Sequence, residues 1–325
     1  MAGKIDWEKQ IGRRLKLRDL YVFWTVARCG SMGKAALELG VAQPTVSEAV
    51  AELEHTFHVR LLDRSPRGVE PTRYGAALLK RCIAVFDELK QGHRDIEFLA
   101  DATTGELKIG CSESITATLL PQVIQRFFKR YPRVTLQADD VPTFASALPV
   151  LRDRKYDLVL ARLGPPPRDE HPPDDMTLET LFEDRLVLAC GTQATWARRR
   201  KIDLADLMDE PWILAAADTW NYRALVEAFQ ARGVAMPTIT LATLSVHLRA
   251  QLLADGQFVT LFPVSLLRSN ARYFSLKLLP IDLPIRPWPV AVVTLKNRTL
   301  SPLVERFIDC AREVAKSFAA GARRS

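Results

Sequence analysis

Gln43 and Ser47 stand about one helical turn apart in QPTVSEAVAELE, with Pro44, Thr45 and Glu48 beside them. A glutamine amide can bridge N6 and N7 of adenine, a serine hydroxyl can pair with either kind of base edge, and a glutamate can accept from cytosine N4. At 100° per residue, Val46, Ala49, Val50 and Leu53 form an apolar stripe, and Gln43, Pro44, Ser47, Glu48 and Ala51 point away from it. The chemistry on offer is recognition. Downstream, RLLDRSPRGVEPTRYG (60–75) reads as strand, turn and strand, with Arg60, Arg64, Arg67 and Arg73 around the turn Ser65-Pro66-Arg67-Gly68. A basic hairpin directly after such a helix suits the DNA backbone or minor groove.

These side chains need a scaffold. LRDLYVFWTVAR (17–28) puts Leu20, Phe23, Trp24 and Ala27 on one helical face. Ser31 can cap a second helix, whose Ala35, Ala36 and Leu39 make a small buried face, and Gly40 permits a sharp turn into the third. Small side chains let two helices cross steeply. Pro44 is tolerated in a first helical turn, where its missing N–H is not needed. The result is a helix-turn-helix with 43–54 as recognition helix. Periodicity by itself leaves open a plain three-helix bundle with a solvated polar side.

The segment from Leu17 to Leu79 resembles the N-terminal winged helix-turn-helix of LysR-type transcriptional regulators. The resemblance is carried by LRDLYVFWTVARCGSMGKAALELGVAQPTVSEAVAELE and RLLDRSPRGVEPTRYG, through the spacing of Ser31, Ala35-Ala36, Leu39, Gln43-Pro44, Ser47, Leu53-Glu54, Arg64, Thr72 and Gly75. It implies a DNA-binding domain over 15–75, with Ser31, Lys34, Gln43, Pro44, Thr45, Ser47, Glu48, Arg64, Arg67, Thr72 and Arg73 as DNA-facing residues. Three positions depart from the pattern. Ala42 stands where a serine often caps the recognition helix, Glu48 brings a carboxylate to the groove, and His58 replaces a usual glycine.

After Gly75, the segment 76–101 reads as one long helix in which Leu79, Cys82, Phe86, Leu89, His93 and Ile96 alternate steps of three and four. That is a heptad seam, although a helix packed on its own domain shows the same period. The resemblance implies that this linker helix pairs two subunits, in a homodimer or homotetramer.

From Glu106 the pattern becomes alternating strands and helices: ELKIGC, TATLLPQVIQRFFKRYP, RVTLQA, TFASALPVLRDRK and YDLVLAR. A Pro-rich loop follows at 164–175, then a second α/β run from RLVLAC and a final helix over 301–319. This predicts largely parallel sheets in two halves around a hinged cleft, with ligands at strand C-termini. Ser112, Ser114 and Thr116 follow the first strand, Thr143 opens the second helix, and Thr219 and Asn221 open one in the other half. Any one of them alone would more often be a helix cap. The resemblance continues here to the LysR-type effector domain, related in fold to periplasmic binding proteins. It implies a domain over 105–318, with subdomain I at 105–180 and 284–318 and subdomain II at 181–283. It also implies a hydroxyl contact from Ser114, and a second near Thr143, to a carboxylate-bearing effector.

The fold class expected is therefore multidomain α and α/β. Net charge is +7, but residues 1–75 carry only three more basic than acidic side chains, so charge merely permits a polyanionic partner. No apolar stretch is long enough for a membrane span, and the first residues lack a signal-peptide core, so a cytoplasmic location is expected. The five cysteines form no CxxC pair, the five histidines no ligand set, and no phosphate-loop, dinucleotide, GxSxG or HExxH motif occurs. No enzyme, metal or cofactor is expected. The expected partners are double-stranded DNA and a small anionic effector, with RNA polymerase a possible further one. Two alternatives remain: a small-molecule-binding protein without DNA function, and a redox-sensing regulator built on Cys111.

Overall fold

The computed structural model describes residues 15–65, 68–164, 173–217, 219–270 and 272–322. The chain divides into two compact units, one ending at His93 and the other beginning at Arg94.

In the first unit, α1 (Leu17–Cys29), α2 (Met32–Leu39) and α3 (Gln43–Phe57) pack around Phe23, Val26, Ala35, Val46, Val50 and Leu53. Trp24, expected in that stripe, is only half-buried and stacks on Phe86, with ring centroids 5.5 Å apart. Val22 and Val26 are buried as well, because α1 meets both α2 and α3. Gly40 adopts φ 64°, and its N–H bonds back to Ala36 and Leu37, closing α2 for the turn into α3. The hairpin follows as β1 (Leu62–Ser65) and β2 (Gly68–Pro71), paired antiparallel with Arg64 opposite Val69. Glu54 anchors its entry: Oε1 accepts the backbone N–H groups of Leu61 at 2.7 Å and Leu62 at 3.2 Å. Gly75 lies in the first turn of α4 (Arg73–Ala100), where a Cβ would come within 1.9 Å of the Leu61 carbonyl oxygen.

The α4 seam splits. Cys82 is buried in the first unit's core, and Leu79 and Phe86 pack against that core. Leu89 and Ile96 are 54% and 68% exposed, and Leu99 beyond them 81%.

The second unit holds two five-stranded sheets. The first runs β4 (Arg133–Asp140), β3 (Thr104–Cys111), β5 (Leu158–Arg162), β12 (Trp288–Leu295), β6 (Met176–Asp184). The second runs β11 (Leu276–Leu278), β7 (Leu186–Gly191), β10 (Val259–Pro263), β8 (Trp212–Leu214), β9 (Ile239–Ala242). The expectation of largely parallel sheets needs correction. β3 is parallel to β4 and β5, but β12 runs antiparallel to both β5 and β6, so the sheet is mixed. The second sheet is mixed too, since β7 runs antiparallel to β10 and β11. The cause is the return of the chain: β12 re-enters the first sheet after the second is built. β6 stays in that first sheet through Asp184, past the expected boundary at 180.

Helices cover both sheets. After the short α5 (Glu113–Thr116), α6 (Leu119–Arg130) and α11 (Pro302–Ala322) seal one face of the first around Phe127 and Phe307, and α7 (Phe144–Arg152) seals the other. In the second lobe, α8 (Trp220–Ala231), α9 (Val246–Ala254) and α10 (Val264–Asn270) do the same around Trp212, Phe229 and Phe262. Buried Asp157 is held by Arg298 at 3.0 Å and by Arg94, from the end of α4, at 3.2 Å. No helix among the described residues is long and apolar enough to cross a membrane.

Candidate nucleic-acid interface and ligand cleft

Gln43, Pro44 and Glu48 are exposed on the first turns of α3, and Thr45 and Ser47 beside them are half-buried. Ala42 gives the helix no side-chain cap, so this end presents its positive pole to solvent. The start of α2 comes close by: a Cβ on Gly33 would meet Gln43 Oε1 at 3.7 Å and Ser31 Oγ at 3.9 Å. Ser31 caps α2, its hydroxyl accepting the Lys34 N–H at 3.4 Å, and Lys34 itself is exposed. His58 takes the left-handed conformation, φ 55°, that a glycine would adopt there at less cost.

The hairpin residues divide. Arg64 is exposed on β1, and Arg67 lies outside the described residues. Thr72 is used locally: its hydroxyl donates to the Arg60 carbonyl at 2.8 Å and accepts the Gly75 N–H at 3.1 Å. The Arg73 guanidinium lies 4.5 Å over the Tyr74 ring.

In the second unit a cavity of about 430 Å³ opens between the two sheets, within the range of small-molecule sites. Ser112, Ser114, Thr143 and Thr219 all line it. The hydroxyls of Ser112 and Ser114 lie 3.2 Å apart. Thr143 and Thr219 cap α7 and α8, each accepting an N–H from its helix. Thr116 belongs elsewhere: its hydroxyl donates to the Ser112 carbonyl and lies 3.0 Å from Cys111 Sγ, away from the cavity lining. The Asn221 side chain lies outside the described residues.

Sequence reasoning missed the charged lining. Glu113, from the first lobe, accepts the Val246 N–H at 2.7 Å, the His247 N–H at 2.9 Å and the Ser245 hydroxyl at 3.3 Å, capping α9 of the second lobe. Burial, helped by the Glu113 charge, raises the Asp140 carboxyl above its ordinary range. Arg249 is buried at the start of α9, donates one hydrogen bond from each guanidinium nitrogen to the carbonyls of Ser245, Leu261 and Leu244, and is pulled down to about 10 by desolvation. Arg162 ends β5, and its guanidinium Nη1 is 2.9 Å from Asp184 Oδ2. Asp140 and Arg162 stand at the C-terminal ends of β4 and β5, where ligands gather in such sheets, but nothing local in the sequence ties either to the hydroxyls of the cleft. Cys111 is 1% exposed and its thiol is pushed up by burial, the opposite of what a reactive sensor thiol requires.

Comparison with known proteins gives two family matches. Residues 17–76 match the model for bacterial regulatory helix-turn-helix proteins of the lysR family, and residues 100–316 match the LysR substrate binding domain. The chain is 27% identical over 300 residues to the HTH-type transcriptional regulator TdcA of Escherichia coli (strain K12), covering 92% of this chain and 93% of that one. It is 27% identical over 295 residues to the transcriptional dual regulator GltC of Bacillus subtilis (strain 168), covering 91% and 96%. Among solved structures, a full-length OxyR variant from Pseudomonas aeruginosa aligns with a TM-score of 0.63 at 21% identity, covering 93% of this chain and 95% of that one. Full-length CbnR complexed with its target DNA aligns at 0.52 and 22%, covering 93% and 100%. At these identities the two structures establish a shared fold.

Proposed function

We propose that this chain, which belongs to the LysR family of DNA-binding transcriptional regulators, reads base edges with Gln43, Ser47 and Glu48 and holds phosphates with Lys34, Arg64, Arg67, Arg73 and the ends of α2 and α3. The observation that carries this reading is the exposed, uncapped first turn of α3, with Gln43 beside the start of α2 and a basic hairpin following. The CbnR structure with target DNA supports it by analogy of fold.

In the same reading the second unit is the sensor. A small anion enters the cleft between the lobes, meets Ser112, Ser114 and Thr143, and favours one arrangement of the assembly over another. Two copies pair through exposed apolar residues of α4, Leu89 in the first unit and Ile96 and Leu99 in the second, matching a two-fold DNA site. The assembly acts in the cytoplasm, next to RNA polymerase, and catalyses no reaction.

Fluorescence anisotropy with duplexes from the region upstream of its own gene tests the DNA reading. Gln43→Ala should cost about 1–3 kcal/mol at one base pair, while Arg64→Ala should weaken all sequences alike and lower the salt slope by about one. Unchanged affinity and unchanged sequence preference in Gln43→Ala would remove α3 from the groove.

A further inference from the structure

The hairpin after α3 does not hold its own orientation. β1 and β2 contribute four residues each, and an isolated two-stranded ribbon is marginally stable at best. Its register sets Asp63 directly opposite Glu70, a like-charge pair that opposes closure. Alternation along the strands puts those two carboxylates on one face and Arg64, opposite Val69, on the other. All three charged side chains are exposed. Rolling the hairpin about its long axis would therefore offer a phosphate two carboxylates in place of one guanidinium.

Ties from outside the hairpin prevent that roll. At the tip, the Gly30 carbonyl accepts the Val69 N–H at 2.9 Å, and a Cβ on Gly68 would come within 2.8 Å of the same oxygen. At the base, the Thr72 N–H donates to the Leu61 carbonyl at 2.9 Å. A further tie comes from the recognition helix itself. Glu54 Oε1 accepts both the Leu61 N–H, at 2.7 Å, and the Leu62 N–H, at 3.2 Å. Leu61 and Leu62 are buried, so water does little for those amides if the carboxylate is withdrawn. The left-handed turn at His58 folds the chain back over this side chain, with the Val59 N–H donating to the Glu54 carbonyl at 3.3 Å.

We propose that Glu54 is a positioning residue for DNA binding: through one carboxylate oxygen, α3 holds the hairpin at the roll that turns Arg64 toward the DNA backbone. The proposal rests on the DNA reading above and gives a side chain that touches no nucleic acid a share in the affinity. It also fixes a sign. A carboxylate on a DNA-binding domain opposes a polyanion through its charge, so removing it strengthens binding if charge is its role and weakens binding if position is its role.

The test uses the full chain in fluorescence anisotropy across a potassium chloride titration. The probes are a duplex from upstream of its own gene and a scrambled duplex of the same length. Glu54→Ala, and Glu54→Asp with its shorter reach, should weaken binding to both duplexes about 3- to 30-fold and lower the salt slope by about one. The ratio of the two affinities, set by α3, should hold. Glu54→Gln keeps an acceptor at the same reach and should rescue most of the loss. A double-mutant cycle separates positioning from general loosening of the domain. Glu54→Ala should weaken binding less when Arg64→Ala has already removed the positioned contact, and by its full amount beside Gln43→Ala. Tighter binding in both Glu54→Ala and Glu54→Gln assigns the effect to charge and overturns the proposal. Equal losses in every background, with the affinity ratio falling too, are what a merely structural role gives, and they overturn it as well. So does Glu54→Asp binding as tightly as the native chain. If Gln43→Ala and Arg64→Ala themselves leave binding unchanged, the DNA reading falls first and takes the proposal with it.

Discussion

Glu113→Ala tests how the two lobes are held. The carboxylate accepts from Val246 N, His247 N and Ser245 Oγ at the start of α9. Water can reach exposed His247 and, in part, half-buried Ser245, but Val246 is 2% exposed, so its N–H loses a charged acceptor without replacement. Losing one hydrogen bond to a charged group costs about 1.5–3 kcal/mol, and losing a negative charge at a helix N-terminus adds about 0.3–1 kcal/mol. The expected total of about 2–4 kcal/mol lowers Tm by roughly 5–15 °C for a unit of this size. Glu113→Gln keeps an acceptor for Val246 and loses the charge, so its Tm should fall by only about a third as much. Scanning calorimetry reads both, and hydrogen exchange should show the Val246 amide opening first. A fall below about 2 °C in Glu113→Ala, or equal falls in the two variants, would refute the reasoning that one carboxylate caps α9 across the cleft.

Asp140→Asn should stabilise the protein at neutral pH and leave it unchanged in strong acid. Burial raises the folded-state pKa of Asp140 above its ordinary 3.8. Its contribution is therefore fully present below 3.8 and is lost as pH rises through the folded value. Tm measured against pH in both proteins should diverge only on the neutral side; a gap that persists in acid contradicts the sign. Thiol labelling at pH 8 should find only Cys29 accessible in the native chain. Cys82, Cys111, Cys190 and Cys310 are buried, with the Cys82 and Cys190 thiols pushed up to about 11. Rapid modification of Cys111, located by mass spectrometry, would revive the redox reading.

The helix-turn-helix was legible because its information is local. The stripe Val46, Ala49, Val50, Leu53 and the turn at Gly40 lie within a few residues of one another and are buried or bent as their types require. The α4 seam shows where periodicity stops: packing on its own unit and pairing with a copy demand the same spacing, so Cys82 inward and Leu89 outward read alike. β6 escaped notice because MTLETLFED mixes polar and apolar residues after a Pro-rich loop, and its order comes from β12, more than a hundred residues later. The cleft's hydroxyls could be named from their places at helix starts. Its charges could not, since Glu113 meets Val246 and Asp184 meets Arg162 and Ser265 only through the folded hinge.

The most direct test of the central claim is a footprint on the DNA upstream of the protein's own gene, taken across a salt titration. A DNA-bound dimer predicts two protected half-sites separated by about one helical turn or a multiple of it, with affinity falling steeply as salt rises. Absence of protection above competitor DNA at low salt would contradict it.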